Sequence, residues 1–164
     1  MNDEPVVRRA DSGDAVAIVC VLWACRRDIP LKARVFSELT VDWVKRHSEA
    51  GRFWVMKFPS PHQHDVEEIG GCMLITPPDE EAGMHTEHHE LFWMAVDREH
   101  RRRGVARTLL RHAKTLHDAL VAKAQEDNGA VRALLEGERF QVAGPTMTGG
   151  WVPYDWLRDE DEAQ

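Results

Sequence analysis

Apolar positions along this chain alternate between short runs typical of strands and stripes at helical spacing. Residues 5–9, Pro-Val-Val-Arg-Arg, read as a first strand. Asp11-Ser-Gly-Asp14 supplies capping groups for a helix over about 14–26. Its apolar residues occupy most of the circumference, which predicts a well-buried helix. Pro30 closes that region, and Phe36, Leu39, Trp43, Val44 and His47 form a second helical stripe with Gly51 as its stop. Residues 52–57 and 69–75 read as strands, joined by a turn-like 59–65 segment longer than a tight hairpin. Glu90-Leu-Phe-Trp-Met-Ala-Val96 is short, apolar and rich in aromatic and β-branched residues, as a buried strand would be. Val105, Leu109, Leu110, Ala113 and Leu116 then recur at helical spacing, with Arg107, Arg111 and Lys114 on the other side. Residues 119–124 give a fifth strand. Asp127-Asn128 can cap a helix carrying Val131, Leu134 and Leu135, and 140–143 and 151–156 supply two closing strands. The predicted order is β-α-α-β-β-β-α-β-α-β-β, without an internal repeat.

A chain of 164 residues suits one domain. We expect it to span 1–157, with 158–164 as an acidic, disordered tail. The 43% apolar and 30% charged shares are those of a soluble globular protein. A net charge of −7 argues against nucleic-acid binding and suits a cationic amine as substrate. Cys20, Cys25 and Cys72 form no C-x-x-C pair, so buried free thiols in a reducing compartment are expected. The longest apolar run, 15–25, is too short to span a bilayer and lacks the flanks of a signal peptide. The expected location is the cytoplasm, with nuclear entry left open. His62, His64, His85, His88 and His89 show no complete spacing of zinc ligands, so no metal site is expected.

The chemistry concentrates after the strand that ends at Val96. Arg101-Arg102-Arg103-Gly104-Val105-Ala106 is a basic loop opening a helix. There, N–H groups of a first helical turn and the positive end of the dipole stand beside Arg101, Arg102, Arg103 and Arg107. Gly104 can take a positive φ or let a ligand approach, and Ala106 keeps the first turn uncluttered. Together these predict an anion site for phosphate or pyrophosphate.

Arg101-x-x-Gly104-x-Ala106, in this strand–loop–helix setting, resembles the R/Q-x-x-G-x-G/A signature of the GNAT acetyltransferase superfamily. Residues 89–101 also look like its camello-type branch, although the membrane segment usual there is missing. The resemblance covers nearly the whole chain and implies an α/β (α+β) GNAT fold, a single mixed sheet of about 6–7 strands with helices on both faces. It implies acetyl-CoA as co-substrate and no metal. Residues Arg101 to Arg107 would hold the pyrophosphate, and Met94, Ala95 and Val96 would meet the pantetheine arm. The helix pair near the N-terminus would help form the acceptor site. The acceptor would be a primary amine of a small molecule, peptide or protein lysine, and a homodimer is left open.

Acetyl transfer from a thioester needs a neutral amine, a donor for the oxyanion and a proton for the thiolate. Glu90, 11 residues before Arg101, stands where the histone-acetyltransferase branch places its catalytic glutamate. Beside Phe92 and Trp93 its pKa could be raised to suit a base, and His89 and Glu87 are neighbours that could substitute. The alternative is a strand-end charge facing water. The family's second motif, N-x-x-A-x-x-x-Y-x-x-x-G-F, falls on Asn128, Val131, Leu135, Arg139 and Phe140. Asn128 keeps its place and joins the cofactor-binding set. The proton-donating tyrosine is replaced by Leu135 and the glycine by Arg139, which leaves Tyr154, Cys72 or solvent as the donor. Those losses open a rival class, a noncatalytic GNAT-like module that binds acetyl-CoA or a protein partner. A third reading, an acidic interaction protein without a cofactor, gives the basic loop no use.

Overall fold

The structure is a computed structural model and describes residues 5–26, 39–60, 62–63, 66–78 and 87–159. Among them are seven strands, β1 (Val6–Arg9), β2 (Phe53–Pro59), β3 (Glu67–Thr76), β4 (His89–Val96), β5 (Ala119–Gln125), β6 (Gln141–Val142) and β7 (Trp151–Leu157). Four α-helices accompany them: α1 (Ala15–Ala24), α2 (Val41–Glu49), α3 (Val105–Leu116) and α4 (Gly129–Gly137). The strands form one sheet in the order β1-β2-β3-β4-β5-β7-β6. It is mixed, because β4 and β5 run parallel while β1–β2, β2–β3, β5–β7 and β7–β6 are antiparallel. The expected element order is therefore present. Phe36, Pro30 and residues 160–164 of the tail lie outside the described residues.

The chain forms two compact units, one of Met1–Leu74 with Trp93–Leu109, the other of Ile75–Phe92 with Leu110–Gln164. In the first, a capping box starts the 3-10 turn Ser12–Asp14 that leads into α1: Gly13 N–H donates to Asp11 Oδ1 and Asp11 N–H to Asp14 Oδ2. Burial works against the charge on Asp14, but the Asp11 N–H, Arg8 and Lys57 outweigh it and hold the carboxyl below its usual range. The expectation of an all-round buried α1 is corrected. Ala15, Ile18, Val21 and Leu22 are buried, whereas Val16 and Trp23 are 59% and 43% exposed. A helix lying on a sheet covers one stripe, whatever the composition of its far side. The thiols need the same correction: all three cysteines are free, Cys25 and Cys72 are buried, and Cys20 is exposed.

Helix α2 starts on Thr40, whose hydroxyl accepts from Trp43 N–H, and stops at Gly51, φ 72°. Arg52 N–H donates to His47 O and Gly51 N–H to Ser48 O, the paired bonds of a Schellman stop. Trp43 then packs on Trp93 of β4, ring centroids 5.2 Å apart. In β3, a Cβ on Gly71 would lie 2.6 Å from Val105, so that glycine is what lets the first residue of α3 sit on the strand. Those two contacts fix both the far half of β4 and the entrance to α3.

In the second unit β4 pairs with β5 over His89–Leu91, opposite Leu120, Val121 and Ala122. Strand β5 then pairs with β7 along its whole length, Ala119↔Leu157 to Gln125↔Trp151. Asn128 caps α4, its Oδ1 accepting from Val131 N–H at 3.2 Å. Among the described residues no helix is long and apolar enough to cross a membrane.

Candidate functional site

The end of β4 is tied down before the loop begins. Asp97 N–H donates to Gly70 O, and Asp97 Oδ1 accepts from Glu99 N–H to cap a short 3-10 turn, Arg98–His100. The chain then reverses through Arg102, φ 61°, and Gly104, φ 76°. A left-handed arginine is uncommon and costs conformational energy, the kind of strain that gathers at functional turns. The first bond of α3 runs from Thr108 N–H to Gly104 O, so the N–H groups of Val105 and Ala106 stand ahead of the helical ladder. A Cβ on Gly104 would meet no atom within 4 Å. The glycine is there for its φ, and the space beside it is open to a ligand.

The four arginines do different work. Arg101 Nε donates to Val96 O at 3.3 Å, and its Nη2 lies 3.7 Å from Cys25 Sγ. Cys25 Sγ donates to the same carbonyl at 3.2 Å. The acceptor of Val96 is thus engaged inside the protein, by the first signature residue and by a thiol from the end of α1. Arg103 lies over the Phe58 ring at 4.7 Å, and that ring packs in turn on His100. Arg102 and Arg107 are exposed, Met94 is half-buried and Ala95 is buried. Cys72 sits in the core, its thiol pushed up to about 12 by burial and by Cys25 against the opposing Ala95 backbone bond. That removes it as a proton source near neutrality.

Glu90 is buried, and its Oε1 lies 3.2 Å from Lys123 Nζ on β5. It is therefore not a strand-end charge facing water. The pairing was missed in the sequence, although a lone lysine in the apolar run Ala-Leu-Val-Ala-Lys-Ala was a signal. His89 stacks on His117 with centroids 4.0 Å apart; burial lowers the pKa of both.

At α4 the second motif has an explanation. Arg139 takes φ 65°, Arg139 N–H donates to Glu136 O, and Phe140 N–H to Leu135 O. This is a Schellman stop with Arg139 at the left-handed position where glycine is favoured and buried Phe140 just beyond it. Leu135 is 1% exposed, which leaves little room for an aromatic ring. Tyr154, fully buried on β7, donates its hydroxyl to Glu136 Oε1 at 2.9 Å and accepts from Arg132 Nε at 3.1 Å. Both capacities of that hydroxyl are used in fastening β7 to α4. Asn128 likewise spends its oxygen on the cap. Among the described residues no three His, Cys, Asp or Glu side chains gather as a metal site would require.

A strand, a left-handed basic loop and an open helix start thus follow one another in a mixed-sheet α/β fold. The sequence matches the family model described as the acetyltransferase (GNAT) family over residues 18–137, so the chain belongs to that family. No curated relative matches it. Among solved structures it is similar to a GNAT-family acetyltransferase from Listeria monocytogenes 4b F2365, at 13% identity and TM-score 0.71, covering 93% of this chain and 94% of that one. It is also similar to YncA from Salmonella typhimurium, solved with its cofactor acetyl-CoA, at 17% identity and TM-score 0.67 over 96% and 95% of the chains. A third is the PaiA N-acetyltransferase from Thermoplasma acidophilum in complex with coenzyme A, at 10% identity and TM-score 0.67 over 94% and 99%. Such likeness bears on the fold alone.

Proposed function

We propose that this chain is an acetyl-CoA-dependent N-acetyltransferase that moves an acetyl group to a primary amine by direct attack in a ternary complex. The observation that carries the reading is the entrance to α3, where Gly104 holds φ 76° beside open space and a helix start. Backbone N–H groups there suit the pyrophosphate, with Arg102 and Arg107 adding charge. The coenzyme seen in the Salmonella and Thermoplasma proteins supports that choice of ligand. Three free thiols fit a reducing cytoplasm.

In the reaction the amine nitrogen attacks the thioester carbon, and Glu90, directly or through water, takes the proton that the nitrogen loses. The C–S bond then breaks, and the thiolate takes a proton from solvent, since Leu135 cannot give one. Lys123 holds one oxygen of Glu90, leaving the other for the amine or water. Thiol release from acetyl-CoA with a panel of amines tests this. Glu90→Gln keeps the shape and removes the base, so the rate should fall about a hundredfold while acetyl-CoA affinity holds. A wild-type rate in that variant at every pH would remove Glu90 from the mechanism.

A second reading, a noncatalytic acetyl-CoA-binding module, is favoured by the buried leucine in the donor slot. Calorimetric binding of acetyl-CoA without thiol release to any amine would establish it.

A further inference from the structure

Arg111, Lys114 and Thr115 of α3 line a surface pocket of about 400 Å³ with Trp156 of β7 and Arg158 just after it. Its volume lies at the low end for small-ligand sites. Each cation is held by an internal acceptor. Arg111 Nε donates to Glu138 Oε2 at 3.0 Å, and Lys114 Nζ donates to Glu138 O at 3.2 Å while lying 4.7 Å over the Trp156 ring. Arg158 donates to the carbonyls of Lys114 and His117 and pairs with Asp118. These ties hold all three cations in place, and they balance the charge of two of them. Arg111 and Arg158 each have a carboxylate partner, whereas Lys114 has none among the described residues, and α3 contains no acidic residue. Arg111 remains 65% exposed with both Nη groups unspent on the protein, and Lys114 keeps two further donor hydrogens. In a chain of net charge −7 this pocket thus keeps an excess of one positive charge, that of Lys114.

We propose that this pocket binds a phosphate monoester. The Nη donors of Arg111 and the ammonium of Lys114 match the oxygens of a dianion, and charge-assisted bonds to it are the strong class. The pocket lies open at the surface, so the organic group that the phosphate esterifies can extend out of it. Lys114 stands nine residues along α3 from Val105, two and a half turns beyond the coenzyme loop. None of the lining residues belongs to the 101–107 loop, so the site is proposed as a second one.

The test titrates the full chain with inorganic phosphate, glycerol phosphate and a phosphoserine peptide, at ionic strength matched with chloride, following assigned amide and indole NMR signals. Saturable shifts are expected at Thr115, Trp156 and Arg158, and they should persist in Gly104→Asp. Lys114→Met keeps the stem over Trp156 and should weaken binding roughly tenfold, the worth of one such bond, while Lys114→Arg retains it and acetyl-CoA affinity is unchanged in both. Tighter binding of glycerol phosphate than of the peptide identifies a small phosphorylated molecule as the ligand; the reverse order identifies a phosphoprotein. Shifts confined to residues 101–107, shifts lost in Gly104→Asp, undiminished binding in a folded Lys114→Met, or acetyl-CoA affinity falling with the pocket would each overturn a separate site.

Discussion

Gly104, at the entrance to α3, and Arg139, just past the end of α4, hold nearly the same backbone conformation, φ 76° and 65°. The family signatures place glycine at both positions, and this chain keeps it at only one. At Arg139 the turn is a helix stop, closed by bonds to Leu135 and Glu136, with the side chain turned outward. Any residue that tolerates the left-handed region will end the helix there, at some cost in stability. At Gly104 nothing in the protein comes within 4 Å of where a Cβ would be. The space is open, so no neighbouring side chain demands glycine there, and its φ is what the fold asks of it. On the proposed function, the turn at Arg139 serves the fold alone and that at Gly104 admits the coenzyme.

The widest break in that comparison should come from Gly104→Asp. Aspartate tolerates the left-handed region, so the fold should survive. Its carboxylate would stand where the phosphates are expected, adding bulk and a like charge. Acetyl-CoA affinity measured by calorimetry should fall by about a hundredfold or more, close to 3 kcal/mol. A wild-type affinity would mean that the loop, like the stop at Arg139, serves only the fold.

Sequence pattern sufficed for what depends on neighbours in the chain. The alternating periods gave the element order, and Asn128, Gly51 and Gly104 marked a cap, a stop and a turn because each acts on its own backbone. What escaped was set by partners distant in sequence. The capture of Glu90 by Lys123 joins two strands, and Tyr154 meets Arg132 and Glu136 from the far end of β7. The circumference of α1 misled because apolar residues alone do not say which side the sheet will cover. The contacts of the Arg101 side chain with Val96 O and Cys25 Sγ were likewise not legible from its place in the signature.

Tyr154 sharpens the contrast from the side of α4. If its hydroxyl only fastens β7 to the helix, Tyr154→Phe should lower stability by about 1–3 kcal/mol, since two hydrogen bonds to charged groups are lost. The rate of thiol release per folded molecule should not change. A rate loss at preserved stability would make Tyr154 the proton donor that Leu135 cannot be. Leu135→Tyr is the poorer probe, because at 1% exposure the added volume should itself cost about 1–3 kcal/mol.

The smallest effect expected is a gain. Arg139 pays for a left-handed backbone that glycine adopts freely, a penalty of roughly 1–2 kcal/mol for a residue with a Cβ. Against this stands a more flexible unfolded chain when glycine replaces arginine, which returns about 0.4–1 kcal/mol. The ion pair between Arg139 and Asp159 spans 3.6 Å with both side chains about 70% exposed, and exposed pairs of this kind contribute little. The Schellman bonds from Arg139 and Phe140 are backbone bonds and survive the substitution, as does the contact of Phe140 with its surroundings. Arg139→Gly should therefore stabilise the fold by a few tenths to about 1 kcal/mol in urea titration, with acetyl-CoA affinity unchanged. A loss of stability would show that the arginine side chain holds more than its surface pair, and a change in coenzyme affinity would tie the end of α4 to the site that Gly104 opens.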